Sequence, residues 1–248
     1  GDIFGMNSAQ TNKLTVQAWV RWTSPPATAD QWANIASQTT SGNGTSGVFW
    51  LQHNNLNTQF EFAVAADNRR WAFSDPNKVQ IQQGVWYHVT GVYNGTHVLM
   101  YVDGEDVSQS SVSLSGNLVN VPSTAQFNVG KMPYALRRFP GNIRDLKIWV
   151  GTARTPAQIA QDYAGTSVNN ADFSWPLNES SVGSVTTGRG NVDPSMTNVL
   201  GTDFVACCQN NIPQGQTFLF RPSRIDLSSA SSESVFLVHV NNYNSAGS

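Results

Sequence analysis

Residues 86–107 read WYHVTGVYNGTHVLMYVDGEDV, and the rest of the chain can be arranged around them. Two runs rich in Val, Tyr and Trp flank Asn94-Gly95, and Asp103-Gly104 closes the second run. Asn-Gly and Asp-Gly accept the positive φ angles of tight hairpin turns, so each dipeptide reverses the chain cheaply. The stretch predicts three consecutive antiparallel strands, with Val98, Met100 and Val102 on one face of the middle one. Such a meander belongs to the core of a sandwich or barrel.

Upstream, residues 14–22 alternate: Leu14, Val16, Ala18, Val20 and Trp22 face one way, Thr15, Gln17 and Arg21 the other, with Trp19 on the polar side. Further strands are expected at 33–38, 47–52, 59–65, 70–73, 125–130 and 142–150. His53-Asn54-Asn55 is read as a turn. One helix is signalled, with Thr155 as N-cap, Pro156 in the first helical position, Gln158 completing a capping box and Gly165 ending it. Short, regularly spaced strands with one short helix imply the all-β class, as a two-sheet antiparallel jelly-roll sandwich. Two later runs, TFLF (217–220) and SVFLVHV (234–240), add a C-terminal β extension.

Composition narrows the function classes. In 248 residues, 40% are apolar, including eight Trp and twelve Phe, which suffices for a packed core. Charged residues make up 12%, about half the usual share, and Ser, Thr, Asn and Gln fill the gap. A polar but uncharged surface is common on extracellular, viral and glycan-contacting proteins. The net charge of −2, with no basic run beyond Arg69-Arg70 and Arg137-Arg138, argues against a nucleic-acid surface. No apolar stretch reaches the length of a membrane-spanning helix. The start at Gly1-Asp2, without Met, suggests a processed terminus. Adjacent Cys207 and Cys208 could bridge to each other only through a strained small ring, so two thiols or bridges to another chain compete with it, and two buried thiols are expected. Glycosylation sequons occur at Asn43, Asn94 and Asn178.

Four segments resemble the laminin G-like, concanavalin A-like jelly-roll family, in its pentraxin-related branch. They are LTVQAWVRW (14–22), the stretch 86–107, FNVG (127–130) and FPGNIRDLKIWVGTARTPAQIAQDY (139–163). They look like the family's Ala-Trp-Val strand, its Trp-x-His-Val strand with a Tyr-x-Asp-Gly hairpin, and its Gly-x-Ile-x-Asp/Glu strand followed by a helix. The resemblance implies a jelly-roll domain over 1–165. Residues 166–248 then form an extension that packs on the sandwich or reaches a neighbouring subunit. There is one departure. Family members usually carry a Trp-Pro-Leu-Asn-Glu-like segment ahead of the Ala-Trp-Val strand, whereas here FSWPLNE (173–179) follows the helix. It either opens a second module or supplies the missing strand, from this chain or a neighbour, and the expectation is that residues 172–206 supply it.

Motifs for chemistry are sparse. His53, His88, His97 and His239 form no close metal pair, and His88 is read as structural. Neither a G-x-S-x-G elbow nor a phosphate-binding loop is present. Glu61 stands alone in its strand, without the Glu-x-Asp-x-x-Glu pattern of the glycanases sharing this fold. The resemblance suggests calcium, with Asp103 and Asp145 at the matching acidic positions. Sugars stack on aromatic rings while amides and arginines bind their hydroxyls. Trp32, Trp50, His53, Asn54, Arg69, Arg70 and Trp71 are therefore one ligand-binding candidate group, and Tyr134 with Arg137 a second. For each Trp, burial in the core is the competing reading. The leading expectation is a non-catalytic extracellular module that binds carbohydrate or glycoprotein in adhesion. The alternatives are a self-assembling filament, capsid or spike subunit, and a glycan-cleaving enzyme.

Overall fold

A computed structural model describes residues 2–23, 32–40, 47–54, 58–131, 137–168 and 170–177. The runs at 217–220 and 234–240, both cysteines, and the sequons at Asn43 and Asn178 lie outside the described residues. In chain order the elements are α1 (Met6–Ala9), β1 (Leu14–Trp22), β2 (Trp32–Thr39), β3 (Gly47–Asn54), β4 (Gln59–Ala65) and β5 (Arg69–Phe73). They continue with β6 (Trp86–Tyr93), β7 (His97–Val102), β8 (Glu105–Asp106), β9 (Val112–Ser113), β10 (Gln126–Val129), β11 (Gly141–Val150), α2 (Pro156–Tyr163) and β12 (Phe173–Trp175).

Among the described residues the strands form two antiparallel sheets. One has the order β12-β11-β1-β6-β7-β8, with β9 also on β7, and the other β10-β2-β3-β4-β5. This is the all-β jelly-roll sandwich that the alternation of apolar residues predicts. Its core lies between the sheets. Leu14, Val16, Ala18, Val20, Val98, Met100, Val102, Leu146 and Ile148 come from the first sheet, and Phe49, Leu51, Phe60, Phe62 and Val64 from the second, all buried. The meander forms as expected, with Asp103 and Gly104 at positive φ in its second turn. Gly91 sits between Val16 and Met100 across the strands. A Cβ there would run into the Phe62 ring of the opposite sheet, so only glycine lets the sheets approach.

α2 carries the capping box: Gln158 N–H donates to Thr155 Oγ1 at 3.3 Å and Thr155 N–H to Gln158 Oε1 at 2.9 Å. Its Ile159 packs on Val92 and Tyr101, on the outer side of the first sheet. Behind it, Arg154 donates to both oxygens of Asp162, at 2.6 and 3.0 Å, with both side chains buried. α1 is a feature the sequence did not announce. Gly5 caps it without a side chain, and Asp2 instead accepts from the N–H groups of Met6 and Asn7 at 2.9 and 2.8 Å.

β12 pairs antiparallel with β11, placing Trp175 opposite Leu146 and Phe173 opposite Ile148. Trp175 is buried against Phe127 and Phe4. The first three residues of FSWPLNE thus extend the first sheet within the same chain; residues 178–206 lie outside the described residues.

On the outer side of the first sheet, pairing aligns β11, β1 and β6 in a grid. Arg144, Trp19 and His88 share one row, and Asn142, Arg21 and Trp86 the next. The Arg144 guanidinium lies 5.0 Å from the Trp19 ring and 5.1 Å from the Trp86 ring. His88 is completely buried between Trp19 and Tyr163. Trp19, on the polar side of its strand, therefore meets a second layer.

Candidate functional site

The outer side of the five-stranded sheet carries the densest set of polar and aromatic groups. Because side chains alternate along a strand, the residues between the core positions of β2 to β5 all face outward. Register then sets them in rows. Asn128, Ser37, Trp50, Ala63 and Trp71 form the first, Asn34, Gln52, Glu61 and Phe73 the second, and Trp32, Asn54 and Gln59 the third.

Glu61 is the hub. Its Oε2 accepts from Gln52 Nε2 and its Oε1 from Asn54 Nδ2, both at 2.6 Å. Burial pushes its carboxyl above the ordinary carboxylate range, while those two donors and the charge of Arg137 pull the other way. Asn34 Nδ2 donates to the backbone oxygens of Asn128 and Lys131, at 3.3 and 3.0 Å. Two tryptophans flank this amide–carboxylate row, each under an arginine. The Arg137 guanidinium lies 5.0 Å from the Trp32 ring, and that of Arg69 5.0 Å from the Trp50 ring. Arg69 pairs with Ala65 across the ladder, and Trp50 with Ala63. These two small side chains on β4 let the long arginine lie across the strand onto the indole. Among the described residues, Asn34 Oδ1, Ser37 Oγ, Trp50 Nε1, Gln52 Oε1 and Arg69 Nε are buried without a hydrogen-bond partner. At the β5 side an open depression of about 510 Å³ is lined by Gln59, Phe73, Pro76 and Gln109.

Six sequence candidates therefore share one face: Trp32, Trp50, Asn54, Arg69, Trp71 and Arg137. His53 does not. Its parity turns it inward, where its ring sits 5.0 Å from that of Trp22 and 5.4 Å from that of Phe60, fully buried. It belongs to the core, because β3 runs on to Asn54 where the sequence suggested a turn. Arg70 alternates away from Trp71 and is exposed, donating to the Arg69 backbone oxygen at 3.3 Å. Tyr134 lies outside the described residues. Asn34, Gln52 and Glu61 were not singled out as ligand residues. The signal that finds them is the two-residue period running Trp32–Asn34 and Trp50–Gln52–Asn54.

Calcium takes six to eight oxygens. Among the described residues no three His, Cys, Asp or Glu side chains gather at one point. Asp103 Oδ1 accepts the His88 N–H at 2.9 Å and shapes the hairpin turn. Asp145 has a left-handed backbone and lies 3.8 Å from Lys147. Asn94 Oδ1 accepts from the N–H groups of Thr96 and His97, closing its turn. No helix among the described residues is long and apolar enough to cross a membrane.

Solved structures share features of this architecture. Among solved structures, a Bacteroides ovatus protein proposed to bind carbohydrate superposes with a TM-score of 0.54 at 19% identity. The match covers 73% of this chain and 51% of that one, so the chain spans about half that structure's length. A heptameric SAP-like pentraxin from Limulus polyphemus gives 0.43 at 17% identity over 64% of this chain and 71% of that one. Domain 4 of AbnA, a GH43 extracellular arabinanase from Geobacillus stearothermophilus in complex with arabinotriose, gives 0.43 at 19% identity over 62% and 67%. At 19% identity the likeness to the Bacteroides ovatus protein is one of fold. No curated protein sequence matches the chain. A family model does match, over residues 4–160, and by it the chain belongs to the concanavalin A-like lectin/glucanases superfamily.

Proposed function

We propose that this chain is a non-catalytic recognition module that binds carbohydrate, free or on a glycoprotein, on the outer face of its five-stranded sheet. The observation that carries the reading is the pair of tryptophan–arginine stacks, Trp32 with Arg137 and Trp50 with Arg69, on either side of the Asn34–Gln52–Glu61 row. A sugar ring offers an apolar C–H face to an indole and a rim of hydroxyls to amides and carboxylates, and both kinds of partner converge here. Glu61 is the only carboxylate on this face among the described strand residues. Hydrolysis by two carboxylates needs a second one about 5–9.5 Å away, so binding without cleavage fits better. The fold shared with the Bacteroides ovatus protein supports the reading by analogy. The scarcity of charge suits an extracellular, adhesive setting.

The test is a glycan microarray followed by calorimetry on the hits. Trp71, 38% exposed, can be removed with little loss of packing, and Trp32 is only half-buried. W71A and W32A should each weaken binding by roughly tenfold, the scale of a lost aromatic contact, with the melting temperature of W71A unchanged. An array without a single hit would overturn the proposal.

A further inference from the structure

The partnerless polar atoms on the candidate face segregate by kind. Trp50 Nε1, in the first row, and Arg69 Nε, reaching over the Trp50 ring from the row beyond it, can only donate, and Ser37 Oγ of the first row can do so. In the second row the amide nitrogens already donate. Gln52 Nε2 donates to Glu61, and Asn34 Nδ2 to backbone oxygens, which leaves Gln52 Oε1 and Asn34 Oδ1 as acceptors. One row asks for an acceptor-rich group, and its neighbour asks for hydroxyls.

Arg69 sharpens the demand. Among the described residues it forms no ion pair. Glu61, the only carboxylate of the face among the described strand residues, lies two rows from Arg69, held by Gln52 and Asn54 with the Arg137 charge acting on it. Arg69 is also partly desolvated, which lowers its pKa from the ordinary arginine value. A partly desolvated guanidinium with no ion-pair partner among the described residues is an arrangement that an anion relieves, most strongly through charge-assisted hydrogen bonds.

We propose that this face, on the carbohydrate reading, selects an acidic sugar. Its carboxylate or sulfate is received by Arg69, Trp50 Nε1 and Ser37 Oγ, while its hydroxyls donate to Asn34 Oδ1 and Gln52 Oε1. Trp71, two residues beyond Arg69 on the same face of β5 and partly exposed, offers a ring for the sugar to lie against.

The experiment uses the full chain on an array of matched pairs. Uronic-acid, sialic-acid and sulfated oligosaccharides are each printed beside their carboxyl-reduced or desulfated counterparts. The acidic member of at least one pair should bind about tenfold more tightly, the scale of a charge-assisted hydrogen bond, and which series shows it separates carboxylate from sulfate. In R69Q that preference should collapse to parity. Equal binding within every pair would overturn the acid selectivity and leave carbohydrate binding standing. Binding of neither member of any pair, with no other glycan hit, would overturn both. An undiminished preference in R69Q would overturn the role of Arg69.

Discussion

His88 shows how strongly a single side chain can tie stability to pH in this fold. Burial, reinforced by the charges of Lys147 and Arg144, holds its imidazole down to about 3. An unfolded histidine takes up its proton near 6.5. As pH falls below 6.5 the unfolded chain therefore binds a proton that the folded one refuses. Stability is present at neutral pH and drains at about 1.4 kcal/mol per unit on acidification. Thermal melts between pH 7 and 4.5 should show this loss, and H88L should flatten the curve. Glu61 has the opposite sign, because its carboxyl is raised in the fold, and the comparison of H88L with the parent removes its contribution. Gly91 gives a second expectation at this scale. G91A drives a methyl into the Phe62 ring and should destabilise by about 1–3 kcal/mol in a urea titration. The sequence exposed some of these residues better than others. Trp32, Trp50, Arg69 and Arg137 are visible as aromatic and cationic residues near loops. Glu61 looked solitary because its partners, Gln52 and Asn54, come from the neighbouring strand, and only register brings them together.

At the level of elements, the helix and the long strands were readable because their determinants are local. Thr155 and Gln158 satisfy each other's backbone within one turn, and 14–22 alternates on its own. α1 was not readable, since the carboxylate that holds its first turn sits at Asp2, outside the helix. β2 and β3 extend one and two residues past their expected ends. Trp32 pairs with Asn54, and Asn54 with Gln59, so ladder partners distant in sequence set those ends. The clasp behind α2 makes a clear prediction. D162A leaves the buried Arg154 charge unpaired and should cost about 3–5 kcal/mol, whereas the apolar double replacement R154M/D162L should cost much less. Chemical denaturation of the two variants checks the ordering.

For the molecule as a whole, the resemblance foresaw a sandwich, and the irregular position of FSWPLNE was the one sign that the chain departs from the usual order. Trp175 is where that departure meets the core. W175A should lose about 3–5 kcal/mol, as for other large aromatic truncations. A fragment ending at residue 165 should melt well below one ending at 177, by calorimetry, because only the longer one carries β12. Phe4 packs edge-on to Phe173 with ring centroids 4.9 Å apart, so the entry of the chain into the sandwich and its last described strand meet at one corner. Covalent order and spatial order are thus separable in this domain. Joining the segment around β12 to the front of the chain through a short linker, and opening the chain after α2, would yield a circular permutant with the same sheet. Its sequence would then run in the order the family usually follows.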